Sequence, residues 1–476
     1  MRRPIVVLAL ALVVFAIVTI AGQSDFIASD PLWYANVAHD MTRDFHGVFS
    51  GAEMHPFVMR VGLTLPLALV YKLFGVSTIS TNGIALVAAC AIIVIAWIAA
   101  PTPRAKLFAV LFTLTALPLL RHGAVLDVDL PCAALLGAMV LCLSRRSFTV
   151  AIVCWFAAFL VKETAIWGLP IWVYVLVVER RSWKAFIPAF VVGGVLGIVY
   201  LAICWKVWGT PLARFKGIQE LDHAWSLHGQ PASAWLARLT WGPARMLGTM
   251  FHVALIPVVL GFWILPKQHR IWLVATACFG LLFWFGSASL TAYNPLPLSE
   301  RMNLPVLPPL LVVAALSTDE LWSRFPKLRW LAIPLALVLI VPAARVALAG
   351  IRRQTPETDA FHFVRDEAKP EPVVIVCGEP RCLQIAAFYF GFDVPANVTI
   401  VHANDFAAAP EPHGVIVRAL VNAPRAVGAH KTDPHSDRTG DIDAMGLFPI
   451  IDSHGVRLYA EGDGMALWRA LQPATR

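Results

Sequence analysis

The sequence predicts an all-α polytopic membrane domain with about eleven transmembrane helices and outer-face interfacial helices, followed by a small α/β domain outside the cytoplasm. Three observations predict it. Of the 476 residues, 58% are hydrophobic and only 14% charged, against roughly a quarter charged in soluble domains. Stretches such as Ile5–Gly22, Gly83–Pro101 and Ala185–Trp205 carry no charge at all, and a span needs about 20 such residues. Beyond residue 350 the composition turns polar, with short β-branched runs.

Spans are expected near 5–22, 78–100, 107–120, 130–144, 148–161, 164–178, 185–204, 246–265, 271–288, 303–317 and 331–349. The basic opening "MRRP" and the long apolar run after it resemble a secretory signal, but a retained first span with Arg2 and Arg3 inside fits the rest of the chain better. Pro56 to Phe74 is apolar enough to span but carries Arg60 and Lys72. Counting it as a span would turn the basic loops "PTPRAK", "SRRS", "ERRSWK", "PKQHR" and "SRFPKLRW" outward, against the positive-inside rule. Asp30 to Phe74 is therefore read as two interfacial helices on the outer face. This puts the N-terminus in the cytoplasm and residues 23–77, 205–245 and 350–476 outside.

Residues 1–350 form the expected membrane domain and 351–476 the α/β domain. In the latter, "PVVIVCG", "NVTIVHA" and "GVIVRAL" read as strands, with "ETDAFHFVRDEA" and "CLQIAAFYFG" as helices between them. Cys377 and Cys382 become a plausible disulfide there; the other six cysteines are scattered along apolar stretches and read as buried small hydrophobes. The net charge of +8 needs no nucleic acid, because cytoplasmic loops of membrane proteins gather Lys and Arg.

The candidate chemistry sits beside the spans. In "SDPLWYANVAHDM", Asp30 precedes Pro31 at a strong helix start, where a carboxylate caps free N–H groups. The same carboxylate can serve as a base. In "RHGAVLDVDLP", Asp127 and Asp129 either flank a membrane helix or hold a divalent metal ion through carboxylate oxygens. Lys162 and Glu163 in "FLVKETAIWGLP" end two helices or meet a phosphate. Arg301 follows Glu300 before a late span, and a guanidinium binds oxyanions through paired hydrogen bonds. His55, Arg60 and Lys72 add cations on the same side, whereas His223 and His228 lack a ligand spacing. A lipid phosphate presented at the outer surface would meet these groups.

In this order the motifs resemble the GT-C fold lipid-dependent glycosyltransferases, which include protein O-mannosyltransferases and bacterial aminoarabinose transferases. The resemblance covers residues 1 to about 350. It rests on "DPLWYANVAHDM", "HPFVMRVGLTLPLALVYKLFG", "LDVDLPCAALLGAM", "LVKETAIWGLP" and "SERMNLPVLPPLLVVAAL". It implies an inner-membrane enzyme that moves a sugar, with inversion, from a polyprenyl-phosphate donor to a lipid, glycan or protein acceptor on the periplasmic face. Asp30 would be the general base and Asp129 the second acidic residue. Lys162, Arg301, Arg60 and His55 would bind the donor phosphate. Glu163 departs from the family's usual Gly, and His55 replaces a frequent Lys. The competing readings are a transporter, a glycan polymerase or ligase, and a non-catalytic subunit that binds lipid-linked sugar. A transporter would call for ionisable groups near the midplane and repeated halves, and neither stands out.

Overall fold

The computed structural model describes residues 2–23, 29–50, 56–178, 180–221, 232–251, 254–287, 293, 295–296, 299–351, 373–377, 387–396, 398–402, 415–419, 448–453 and 456–460. Two compact units divide the chain. One comprises Met1–Gln23, Asp40–Lys72 and Ile79–Arg352; the other comprises Ser24–His39, Leu73–Thr78 and Arg353–Arg476.

The first unit is a helical membrane body, and the expected number of spans is corrected downward. Among the described residues, four helices are long and apolar enough to cross a membrane: Thr78–Ala99, Trp183–Trp208, Arg301–Arg324 and Arg329–Ala349. A fifth span is added if Trp241–Phe251 and Leu255–Ile264, bent by 105°, count as one. The protein is thus multi-pass, but not with eleven full spans. The reason is length. Asp129–Ser144 and Phe148–Val161 have 16 and 14 residues, so they rise only about 24 and 21 Å at 1.5 Å per residue, short of a hydrocarbon core of ~30 Å. Val61–Phe74 and Glu163–Val178 belong to the same short apolar class.

Burial separates the roles of the long helices. The apolar stretch of Arg301–Arg324 is 89% buried, whereas that of Trp183–Trp208 is 11% buried. The first is the core of the unit; the second leaves most of its apolar surface exposed. Small residues bring the helices close. A methyl group on Gly137 would lie 2.7 Å from the Pro308 ring, and one on Gly261 would lie 2.4 Å from Ser317 Oγ. Such close approach is how membrane helices gain packing without a hydrophobic driving force. At the far end of the core helix, Asp319 pairs with Arg104 and accepts the Thr102 hydroxyl at 2.8 Å. Thr102 also caps the helix Pro103–Leu114 by accepting the Ala105 N–H at 3.0 Å.

The two interfacial helices expected from Asp30 to Phe74 are also revised. The described residues there form four pieces: Ser29–Arg43, Phe45–Ser50, Pro56–Met59 and Val61–Phe74. Ser29–Arg43 is no half-wet surface helix either. Leu32, Tyr34, Ala35, Val37, Ala38 and Met41 are all buried, whereas Trp33 is exposed.

In the second unit, β1 (Val373–Cys377), β2 (Val398–His402), β3 (Val415–Ala419), β4 (Phe448–Ser453) and β5 (Val456–Ala460) form one mixed sheet in the order β2-β1-β3-β5-β4. β1 runs parallel to both neighbours, with Val373 opposite Val398 and Val415. β5 runs antiparallel to both of its neighbours. The expected alternation of strands and helices is corrected. β5 pairs antiparallel with both β3 and β4, where strict strand–helix alternation calls for parallel neighbours, and the helix expected across 382–391 is described only at 387–389. The helix expected over 357–368 lies outside the described residues, as do Cys382, His223 and His228. The six scattered cysteines are free thiols.

Candidate active site

Asp129 is the first residue of the helix Asp129–Ser144 and is fully buried. A buried carboxylate needs partners, since desolvating an isolated charge is very costly. It has two. Lys162 Nζ pairs with Oδ1, and Arg301 Nε donates to Oδ2 at 3.0 Å. Lys162 sits where Phe148–Val161 ends. Its extended backbone (φ −146°, ψ 135°) breaks the helix before the 3-10 turn Glu163–Gly168. Its Nζ also lies 3.2 Å from Met302 Sδ. Arg301 opens the 3-10 turn Arg301–Val306 that leads into the core helix. Three chain breaks, distant in sequence, thus meet at one carboxylate.

The next residue, Glu163, builds a second group. Its carboxylate accepts from Arg60 at 2.8 and 3.3 Å and from Arg214 at 3.4 Å. Arg60 lies between the helices Pro56–Met59 and Val61–Phe74. Gly62 lets that segment sit against the Lys162 turn, because a Cβ there would come within 2.6 Å of the Val161 nitrogen. Arg214 is 1% exposed and stacks its guanidinium 4.9 Å from the centre of the Phe159 ring. Among the described side chains, Lys162, Arg301, Arg60 and Arg214 thus converge on the two carboxylates of Asp129 and Glu163.

A third group flanks them. Arg121 pairs with Glu300 at 2.6 Å, and His122 Nδ1 lies 3.0 Å from Asp127 Oδ2. Asp127 Oδ1 accepts the Leu130 N–H at 2.9 Å, satisfying one of the free donors at the helix start. The loop before it is held by Asn82, which accepts the Leu126 N–H at 2.9 Å. Burial works against a charged His122. The hydrogen bond and charge of Asp127, with Glu300 and Asp129 behind it, outweigh burial and raise its pKa above the ordinary value of 6.5. A raised value favours the folded state below the unfolded pKa, and this contribution is lost as pH rises through the folded one. The unfolding temperature of the wild type in detergent is therefore expected to fall as pH rises above the ordinary histidine range. His122→Gln should remove that part of the slope while changing the unfolding temperature little at the alkaline end.

Of the site residues expected from sequence, Asp129, Lys162 and Arg301 come together directly. Arg60 joins the adjacent group through Glu163. Asp127 serves its own helix and His122. Asp30, in the first turn of Ser29–Arg43 and half-buried, belongs to the other unit. His55 lies outside the described residues. Among the described residues, no three His, Cys, Asp or Glu side chains are grouped to hold a metal ion. Arg214 was not anticipated. It falls in a long polar stretch where no local spacing marks it out, and only its burial in the fold reveals it.

No family model matches the chain, and no curated protein matches it in sequence. Solved structures do match. ArnT from Cupriavidus metallidurans in the apo state superposes with a TM-score of 0.59 at 12% identity, over 95% of this chain and 97% of that one. ArnT from Cupriavidus metallidurans bound to undecaprenyl phosphate gives a TM-score of 0.59 at 14% identity, over 96% and 97%. At these identities the likeness is one of fold, and over nearly its whole length this chain is folded like ArnT.

Proposed function

We propose that the protein is an inverting membrane glycosyltransferase that moves a sugar from a polyprenyl-phosphate donor to a lipid, glycan or protein acceptor on the periplasmic face of a bacterial inner membrane. The observation that carries this reading is the convergence of Lys162, Arg301, Arg60 and Arg214 on Asp129 and Glu163, in a chain folded like a protein that has been seen with undecaprenyl phosphate bound. In this reading Asp30 takes the proton from the acceptor hydroxyl. The acceptor oxygen forms a bond to the anomeric carbon as the bond from that carbon to the phosphate oxygen breaks on the opposite side. The electron pair leaves with polyprenyl phosphate, and Lys162 and Arg301, with Arg60 behind them, stabilise its growing charge. Asp129, with both oxygens on cations, positions Lys162 and Arg301.

The test is transfer of radiolabelled sugar from undecaprenyl-phosphate donors to a panel of envelope lipids and glycans, in proteoliposomes of the full chain. Sugar appearing in a new glycosidic product supports the reading. Sugar crossing the bilayer with no new bond would replace it with transport. Asp127 and Asp129 are already committed to a helix start, an imidazole and two cations, so transfer is expected to survive chelation by EDTA. A loss restored by added Mg²⁺ or Mn²⁺ would return a divalent ion to these carboxylates.

A further inference from the structure

The helix that carries Asp30 is tied to the C-terminal part of the chain. Ser24–His39 and Arg353–Arg476 fall in one compact unit. Asp30 opens the helix Ser29–Arg43 and His39 lies towards its other end. His39 is buried, and its ring lies 5.0 Å from that of Phe392, tilted by 34°. The Phe392 ring also meets Phe388 edge-on at 5.8 Å. Both separations are those of paired aromatic rings.

Phe392 holds this place against its own backbone preference. The helical residues 387–389 close with two bonds. The Gly391 N–H donates to the Phe388 carbonyl and the Phe392 N–H to the Ala387 carbonyl, both at 2.8 Å. These are the bonds of a Schellman cap, and Gly391 takes the left-handed conformation that such a cap requires, at φ +67°. Phe392 takes a left-handed φ as well, at +64°, where glycine is at ease and a bulky side chain is strained. Among the described non-glycine residues, Arg146 alone shares this feature. Val76 backs the turn, its Cβ 3.8 Å from where a Cβ on Gly391 would stand. Strain of this kind persists where the surrounding contacts over-determine it. Here the contact is a ring laid on the helix of Asp30.

We propose that Phe392 is a positioning residue for Asp30. Its ring fixes the His39 end of the helix Ser29–Arg43, and through that helix it sets where the Asp30 carboxylate meets the acceptor hydroxyl. This rests on Asp30 being the general base, and it gives the C-terminal part of the chain a task in the rate of transfer. The test is steady-state transfer by the full chain in proteoliposomes, with the undecaprenyl-phosphate sugar that the wild type uses. Glycine adopts a φ of +64° without strain, and the bonds closing the turn are backbone ones. Phe392→Gly therefore removes the ring and keeps the turn. Its kcat is expected to fall roughly 10–100-fold, with KM for the donor unchanged because Lys162 and Arg301 are untouched. Phe392→Tyr keeps the ring and should keep the wild-type kcat. Asp30→Asn/Phe392→Gly should be no slower than Asp30→Asn alone, since a residue that acts through another adds nothing once that one is gone. A ring that serves packing alone would lower the unfolding temperature and leave the kcat of Phe392→Gly at the wild-type value; that result overturns the proposal. So does a double variant that loses the Phe392→Gly factor on top of the Asp30→Asn loss. Full transfer by Asp30→Asn removes the base and this proposal with it. Transfer lost in Asp30→Asn but intact in Phe392→Gly removes this proposal alone.

Discussion

Asp129→Leu is expected to destabilise the helical unit by about 3–5 kcal/mol, because it strands a buried lysine beside an arginine. Lys162 is 3% exposed and cannot swing to water without leaving its turn. Arg301 is 29% exposed and can turn outward, so most of the cost falls on Lys162. This predicts an asymmetry. Lys162→Met leaves Asp129 with Arg301 and should cost less than Asp129→Leu. The double variant Asp129→Leu/Lys162→Met should recover much of the loss, since replacing a buried pair with apolar groups of similar size is often near neutral. The measurement is thermal unfolding of all three variants in one detergent. Independent, additive losses would mean that the two side chains do not depend on each other in the folded protein. Recovery of stability without recovery of transfer would separate holding the fold together from binding the donor.

Some helical starts and stops, such as those of Thr78–Ala99 and Phe148–Val161, were legible in sequence because apolar runs and basic loops mark them. The expected 107–120 span, however, is broken between Pro103–Leu114 and Leu117–His122, and 246–265 is bent by 105°. What the runs did not disclose is depth. A 14-residue helix such as Phe148–Val161 and a 22-residue one such as Thr78–Ala99 read alike until their ends are placed. The first three strands stood out as β-branched runs. β4 and β5 did not, although "PIIDSHGVRLYA" carries alternating apolar residues around a short His-Gly break. At the site, Asp129, Lys162 and Arg301 were each visible as polar residues beside an apolar stretch, but their convergence depends on three separate chain breaks. Glu163 shows the limit from the other side. Against a family pattern it looked like a departure; in the fold it is the shared partner of Arg60 and Arg214. Neither arginine lies within reach of it in sequence, so no local spacing rule could have paired them.

Asp30→Asn is expected to lower sugar transfer by about 10²–10⁴-fold, the usual contribution of a positioned general base. The change keeps the shape of the side chain and removes the capacity to accept a proton. The sequence left two roles for this residue, and the fold bears on one of them. The helix begins at Ser29, so Asp30 stands inside the first turn rather than before it. A carboxylate there still favours the helix through the dipole, by about 0.3–1 kcal/mol. If this is its whole task, Asn should lower the unfolding temperature slightly and leave transfer intact. If Asp30 is the base, stability changes equally little but transfer collapses, with donor binding retained because Lys162 and Arg301 are untouched. Measuring transfer, donor affinity and unfolding temperature on the same preparation separates the two. Asp30→Glu adds a further check. Its longer arm keeps the charge at the helix start but displaces the accepting oxygen, so a capping role predicts wild-type behaviour and a catalytic role predicts a deep loss of rate, because proton transfer depends on reach before it depends on acidity.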